Sequence, residues 1–162
     1  MMLRLDHTYF DRELRPPLGA LLVKKGMITQ AQLDEALSER STTGELLGQV
    51  LLRHAWVFED ELARVLAEQH NLDFVNLSLL GVDARAMTIL PIDVGQRLHA
   101  VPVRVSTEGD LLVAVGDPND TDGMNELFEL LAREDRPLRL AVAEPSAIDE
   151  VWRRFAAGTP LR

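Results

Sequence analysis

Pro17-Leu18-Gly19-Ala20-Leu21-Leu22 returns 29 residues later as Leu46-Leu47-Gly48-Gln49-Val50-Leu51. The register holds beyond that core: Ile28 aligns with Val57, Leu33 with Leu62, Ala36 with Val65 and Leu37 with Leu66. Such self-similarity marks a tandem supersecondary unit. Each copy reads as a short helix, a turn and a second amphipathic helix, because its apolar residues recur at three- and four-residue spacing. Gly26 suits a left-handed helix stop, and Thr29 with Gln32 forms a capping box for the next helix. Copy two is expected to open after Thr42, with Glu45 as its box partner, and to close at Asn71. Four helices over residues 17–70 follow. One helical pair has too little surface to bury, whereas two stacked pairs can share a core.

Beyond Asn71 the pattern changes. Phe74-Val75-Asn76-Leu77 predicts a strand, and 84–90 and 92–98 predict short helices, the second opening at Pro91 where proline is tolerated. Residues 100–105 and 111–116 predict strands joined by the hairpin signal Thr107-Glu108-Gly109-Asp110. A helix over 122–132, a strand over 138–142 and a helix over 146–155 capped by Ser146 complete the series. The expected fold class is α+β: a four-helix subdomain built from two helical-pair repeats, followed by a small mixed sheet flanked by helices. The expected division is an N-terminal extension 1–16, the repeat subdomain 17–70, an α/β subdomain 71–156 and a tail 157–162. Each half is near the lower limit for an independent core, so the two are expected to unfold together.

Composition narrows the function classes. Hydrophobic residues at 46% and charged residues at 27% describe an ordinary globular chain. No apolar run is long enough to span a bilayer, and Met1 to Arg15 mixes Arg with Asp and Glu, unlike a secretory signal. The absence of cysteine removes disulfides, thiolate metal sites and thiol nucleophiles, and fits a cytoplasmic location. A net charge of −9 argues against DNA or RNA as a partner. That charge is uneven: residues 1–58 carry seven Arg/Lys and seven Asp/Glu, so the N-terminal part can still accept a small anion. No Gly-x-x-x-x-Gly-Lys-Ser/Thr phosphate loop and no Gly-x-Ser-x-Gly elbow occurs, and no enzyme is expected. His7, His54, His70 and His99 show no metal-binding spacing, and no metal is expected.

The two copies resemble the tandem motif at the front of type II secretion and type IV pilus assembly ATPases, the MshE N-terminal domain family. That motif runs Arg-Leu-Gly, then spaced Leu, Gly, Ile, Leu and Leu, and ends in Gln. Copy one keeps Leu18, Gly19, Leu22, Gly26, Ile28, Leu33 and Leu37; copy two keeps Leu47, Gly48, Leu51, Leu62, Leu66 and Gln69. The resemblance extends through Leu90-Pro91, Val101-Pro102-Val103 and Leu112 to Pro118, covering roughly residues 16–155. It implies a regulatory domain without catalysis and, as ligand, cyclic di-GMP bound across the two motifs. The implied ligand residues are Leu18, Gly19, Leu33, Leu37, Arg40, Leu47, Gly48, Leu62, Leu66, Gln69 and Asp117. It implies no cofactor beyond that ligand.

The departures carry as much information. Pro17 and Leu46 stand where the motif has arginine, Arg40 replaces the closing Gln of copy one, and Ala55 replaces the inner Gly of copy two. A fork-type arginine contact to guanine contributes about 1–3 kcal/mol, so losing two weakens a nucleotide site severely. Arg15, Lys24, Lys25, Arg40 and Arg53 are the basic residues that could substitute. With both motif arginines lost, what the resemblance implies first is an adaptor docking to a secretion or pilus complex protein, peripheral to the inner membrane through that partner. Cyclic di-GMP sensing is the alternative. Clustered apolar side chains exposed on the repeat subdomain would favour docking, and an arginine-lined groove between the copies would favour sensing.

Overall fold

The computed structural model describes residues 15–161, so residues 1–14 of the expected extension, His7 among them, and Arg162 lie outside the described residues. The repeat is visible to the residue. Helices α1 (Leu18–Lys24) and α3 (Leu47–Arg53) span equivalent positions, and α2 (Gln30–Thr43) and α4 (Glu59–Gln69) begin at equivalent positions. Thr29 closes the expected capping box: its Oγ1 accepts from Gln32 N at 3.1 Å, and its own N–H donates to Gln32 Oε1 at 2.9 Å. In copy two only the second half of such a box exists before each helix, where Leu46 N–H donates to Gln49 Oε1 (2.9 Å) and Phe58 N–H to Glu61 Oε2 (3.4 Å).

The expected box of Thr42 and Glu45 is not formed. Helix α2 runs on through Thr43, Thr42 Oγ1 donates back to the Glu39 carbonyl at 2.8 Å, and left-handed Gly44 (φ 74°) ends the helix. Glycine takes that conformation without penalty, so it outcompetes the weaker stop signal of a threonine pair. Asn71 does close α4 with positive φ, 54°.

The second half holds a four-stranded sheet ordered β1-β4-β3-β2, with β1 (Asp73–Phe74), β2 (Ala100–Val105), β3 (Leu111–Val115) and β4 (Leu138–Val142). β2 and β3 form the expected antiparallel hairpin, whereas β4 runs parallel to both β3 and β1. The strand expected over 74–77 is shorter. After Val75 N–H reaches the Val142 carbonyl (2.9 Å), Asn76 Oδ1 accepts from Ser78 N and Leu79 N and turns the chain into α5 (Leu77–Leu80). An asparagine side chain competing for backbone donors ends a strand and starts a helix.

Helices α7 (Ile92–Leu98), α8 (Thr121–Leu131) and α9 (Pro145–Ala156) occupy the expected segments, whereas α6 (Ala84–Met87) stops short of the 84–90 expected, ahead of Pro91, which disfavours helical backbone before it. Ser146 is not the cap of α9; Glu144 holds that place. Instead Glu59 reaches across from α4, accepting from Ser146 N at 2.7 Å and from Ser146 Oγ at 2.8 Å.

Two hydrophobic clusters pack on the two sides of this arrangement. One draws on α1–α4 and includes Val142 of β4, with Leu72 and Phe74 against it. The other lies between the sheet and helices α5–α9, around fully buried Trp152. The Trp152 indole N–H donates to the Ala100 carbonyl at 2.9 Å, and its ring rests on Gly95, where a Cβ has no room. α4 is therefore covered on both faces, by the first repeat and by β1 and β4, while α2 keeps a solvent face. This explains why Leu66 is 2% exposed and its repeat partner Leu37 is 43% exposed.

The turn between the helices of each pair supplies a test. Gly26 has φ 72° and its repeat partner Ala55 has φ 57°. The fold has kept the left-handed turn although the glycine has been lost, at a steric cost of about 1–2 kcal/mol. Ala55→Gly should raise stability by about 0.5–1 kcal/mol, since glycine's greater freedom in the unfolded chain offsets part of the relief. Urea unfolding measures it; an unchanged or lowered midpoint would refute the strain.

Candidate functional site

The start of α1 and the start of α3 lie side by side, and a cleft of about 450 Å³ opens between them. Close helix packing makes this possible. A Cβ on Gly19 would lie 2.5 Å from Leu33 Cδ1, and one on Gly48 would lie 3.1 Å from Leu62 Cδ2. In each copy the glycine lets the first helix settle onto a leucine of the second. Of the residues singled out in the sequence, Leu18, Gly19, Leu33, Leu37, Arg40, Leu47, Gly48, Gln69 and Asp117 line the cleft. Leu62 and Leu66 do not; both are buried behind it, Leu62 beneath Gly48. Pro17 and Leu46, the positions without arginine, stand at equivalent places as the residues preceding α1 and α3, and both line the cleft.

Sequence reasoning missed part of the wall. His70, Pro118, Asn119 and Thr121 also line the cleft; the loop after β3 brings Pro118 and Asn119 there, and the start of α8 brings Thr121. Read alone, His70 is an isolated histidine, and nothing in the repeat points to Asn119. The only available signal was that His70 directly follows the motif's closing Gln69.

These polar groups form a chain of hydrogen bonds. Gln69 Nε2 donates to the Pro16 carbonyl at 3.0 Å, and Asn119 Nδ2 donates to Gln69 Oε1 at 2.9 Å. Asn119 Oδ1 lies 2.9 Å from His70 Nε2, and Arg15 Nη1 lies 2.8 Å from His70 Nδ1. Burial pushes the His70 ring down to about 4; the Asn119 contact opposes this and the Arg15 charge reinforces it. Asp117, whose Oδ2 would lie 3.5 Å from a Cβ on Gly48, is pushed up to about 6 by burial. The Asn119 N–H, donating to Asp117 Oδ1 at 2.8 Å, works against that shift, Asp120 adds to it, and Arg40 opposes it. The cleft thus carries apolar faces from the leucines, cationic groups from Arg15 and Arg40, and a carboxyl that burial pushes up to about 6.

A second cluster lies away from the cleft. Glu35, Glu39 and His54 bring one ligand-type atom each within 4.8 Å of one another, although their sequence spacing suggested no metal site. Glu39 is already bound to His54 (2.7 Å) and to Arg53 (2.8 Å), and the His54 ring stacks on Trp56 at 4.1 Å. Arg53 also holds Glu45, so the cluster reads as an ion-pair staple joining α2 to α3.

A helical-pair repeat with a cleft between its copies, packed on a small mixed sheet, defines the class: an N-terminal domain of secretion and pilus assembly ATPases. The chain belongs to the MshEN domain family, whose profile matches residues 70–160. The type IV pilus assembly ATPase PilB of Thermus thermophilus is 37% identical over 139 residues, which covers 85% of this chain and 15% of PilB. The structure of MshE with cdg superposes with a TM-score of 0.75 at 31% identity, covering 87% of this chain and 99% of that one. The N-terminal domain of XpsE shares the fold, with a TM-score of 0.71 at 24% identity over 85% of this chain and 92% of that one. The chain therefore spans about 15% of the length of its PilB relative and corresponds to the N-terminal region, not the catalytic ATPase domain. No helix among the described residues is long and apolar enough to cross a membrane.

The two shifted groups give opposite pH dependences. Asp117, held above its unfolded value of 3.8, contributes stability while protonated and loses it as pH rises towards about 6. His70, held below 6.5, contributes fully above that value and loses its contribution as pH falls towards about 4. Asp117→Asn should therefore make stability fall more steeply than in the wild type from about pH 6 to 4. His70→Gln should make it fall less steeply over the same range. Urea midpoints at several pH values check this; parallel profiles for all three proteins would contradict it.

Proposed function

We propose that this chain is a non-catalytic regulatory domain that binds cyclic di-GMP across its two repeats, at the cleft between Leu18-Gly19 and Leu47-Gly48. The observation that carries the reading is the presence of Arg15 and Arg40 in the lining of a groove between the copies. The ligand has two purine faces, two phosphate charges and guanine edges rich in donors and acceptors. Leu18, Leu37 and Leu47 offer apolar contact to the base planes. Arg40 can fork onto guanine O6 and N7, and Asp117 can accept from the guanine amino group. Arg15 and Arg40 together balance two phosphates. The likeness to MshE, solved with cdg, supports the same ligand class.

Regulation implies a listener, and the proposed partner is a protein of a type II secretion or type IV pilus complex, reached from the cytoplasmic side of the inner membrane. Docking has its own supporting observation in the repeats, where Phe58 is 71% exposed at the start of α4; Leu79, 85% exposed in α5, is a second exposed apolar residue outside them. Both lie outside the cleft lining, so docking and sensing do not compete for the same residues.

Calorimetry with cyclic di-GMP at one salt concentration tests the assignment. The wild type should bind, and Arg40→Ala should weaken binding about ten-fold or more, as expected for a charged fork contact. Installing the motif arginines with Pro17→Arg and Leu46→Arg should strengthen binding by at least about ten-fold, and the neutral pair Pro17→Gln and Leu46→Gln should gain much less. No binding by the wild type or by the arginine variant would leave docking as the function.

A further inference from the structure

The hydrogen bonds around His70 close into a ring whose direction is fixed by one atom. The Pro16 carbonyl can only accept, so Gln69 must present its amino group to it. Gln69 Oε1 then accepts from Asn119 Nδ2, which leaves Asn119 Oδ1 as an acceptor facing His70 Nε2. The histidine therefore carries its proton on Nε2, and its Nδ1 is the acceptor for the Arg15 guanidinium. Arg15 and Pro16 are neighbours in sequence, so the chain of bonds leaves this segment at Pro16 and returns to it at Arg15. The segment is held by Gln69 and His70 at the end of α4, and Asn119 of the loop after β3 ties those two side chains together.

This bears on the departures from the tandem motif. Both amide atoms of Gln69, the motif's closing residue in copy two, already hold protein partners. The motif arginine of copy one is replaced by Pro17, yet Arg15 stands two residues upstream in the cleft lining. We infer that His70, together with Asn119 and Gln69, is a positioning device that aims Arg15 into the cleft, so that Arg15 stands in as a ligand-binding arginine for the one this chain lacks at position 17. His70 then acts on the ligand only through Arg15, and Gln69 acts as a clamp on the segment that carries it. The inference rests on the cyclic di-GMP reading for its ligand.

The device has a signature that needs no ligand. In the wild-type protein, imidazole ¹⁵N shifts should identify His70 as the Nε2–H tautomer; an Nδ1–H tautomer would overturn the ring.

The functional test is a double-mutant cycle by calorimetry with cyclic di-GMP. Arg15→Gln should weaken binding about ten- to hundred-fold. His70→Leu should weaken it by a similar factor. His70→Gln, which keeps an acceptor and a donor, should stay within about three-fold of the wild type. The Arg15→Gln/His70→Leu double variant should be no weaker than Arg15→Gln alone, because a residue that works only through Arg15 has nothing further to lose. Should His70→Leu fail to fold, Asn119→Ala takes its place in the cycle with the same expectation. Losses that multiply in the double variant, or His70→Leu binding like the wild type, would overturn the inference while leaving the ligand assignment intact. A wild type that does not bind would overturn both.

Discussion

The first helix of each repeat can lie against the second only because a glycine faces a leucine at the crossing, Gly19 against Leu33 and Gly48 against Leu62. Small residues at a crossing let backbones approach, and the approach fixes where each helix begins relative to its partner. Because both copies obey this constraint, the starts of α1 and α3 meet as near equivalents, and the space left between them is the cleft. The leucines beneath the glycines belong to the core of the repeats. Packing and site geometry are thus set by the same contacts, and a change in one alters the other.

The two copies are equal in backbone and unequal in surroundings. Copy two is pressed between copy one and the sheet, so its second helix is buried, its closing Gln69 is bound to protein, and its neighbour His70 is inside. Copy one has an open face, where Leu37 and Arg40 remain exposed. A pseudo-symmetric ligand entering this cleft would meet an adaptable cationic wall on one side and a pre-set hydrogen-bonded wall on the other. The loop after β3 adds Asp117 and Asn119 to the pre-set side, which couples the site to the sheet and through it to α8 and α9.

Much of this was legible in the sequence, for identifiable reasons. Repetition at a fixed offset located the four helices, and strong local signals, the capping box at Thr29 and the hairpin turn between β2 and β3, gave element bounds close to those found. Errors arose where two local signals competed: Thr42 against Gly44 at the end of α2, and strand against asparagine cap at Asn76. The cleft was legible in its apolar members, since Leu and Gly positions that repeat in sequence converge in space. Leu62 and Leu66 lie behind the cleft lining, Leu62 beneath Gly48, which repetition in sequence could not show. His70 and Asn119 were illegible, being 49 residues apart and joined only by the tertiary fold.

The central claim is that the cleft between the repeats is a ligand site fed by both copies and by the loop after β3. Amide chemical-shift mapping during titration with cyclic di-GMP tests it most directly. The account predicts saturable shifts concentrated in residues 15–20, 37–40, 46–48, 69–70 and 117–121, with Phe58 and Leu79 unaffected. Shifts that are absent, or that centre on Phe58 and Leu79 and leave the cleft unchanged, would contradict it.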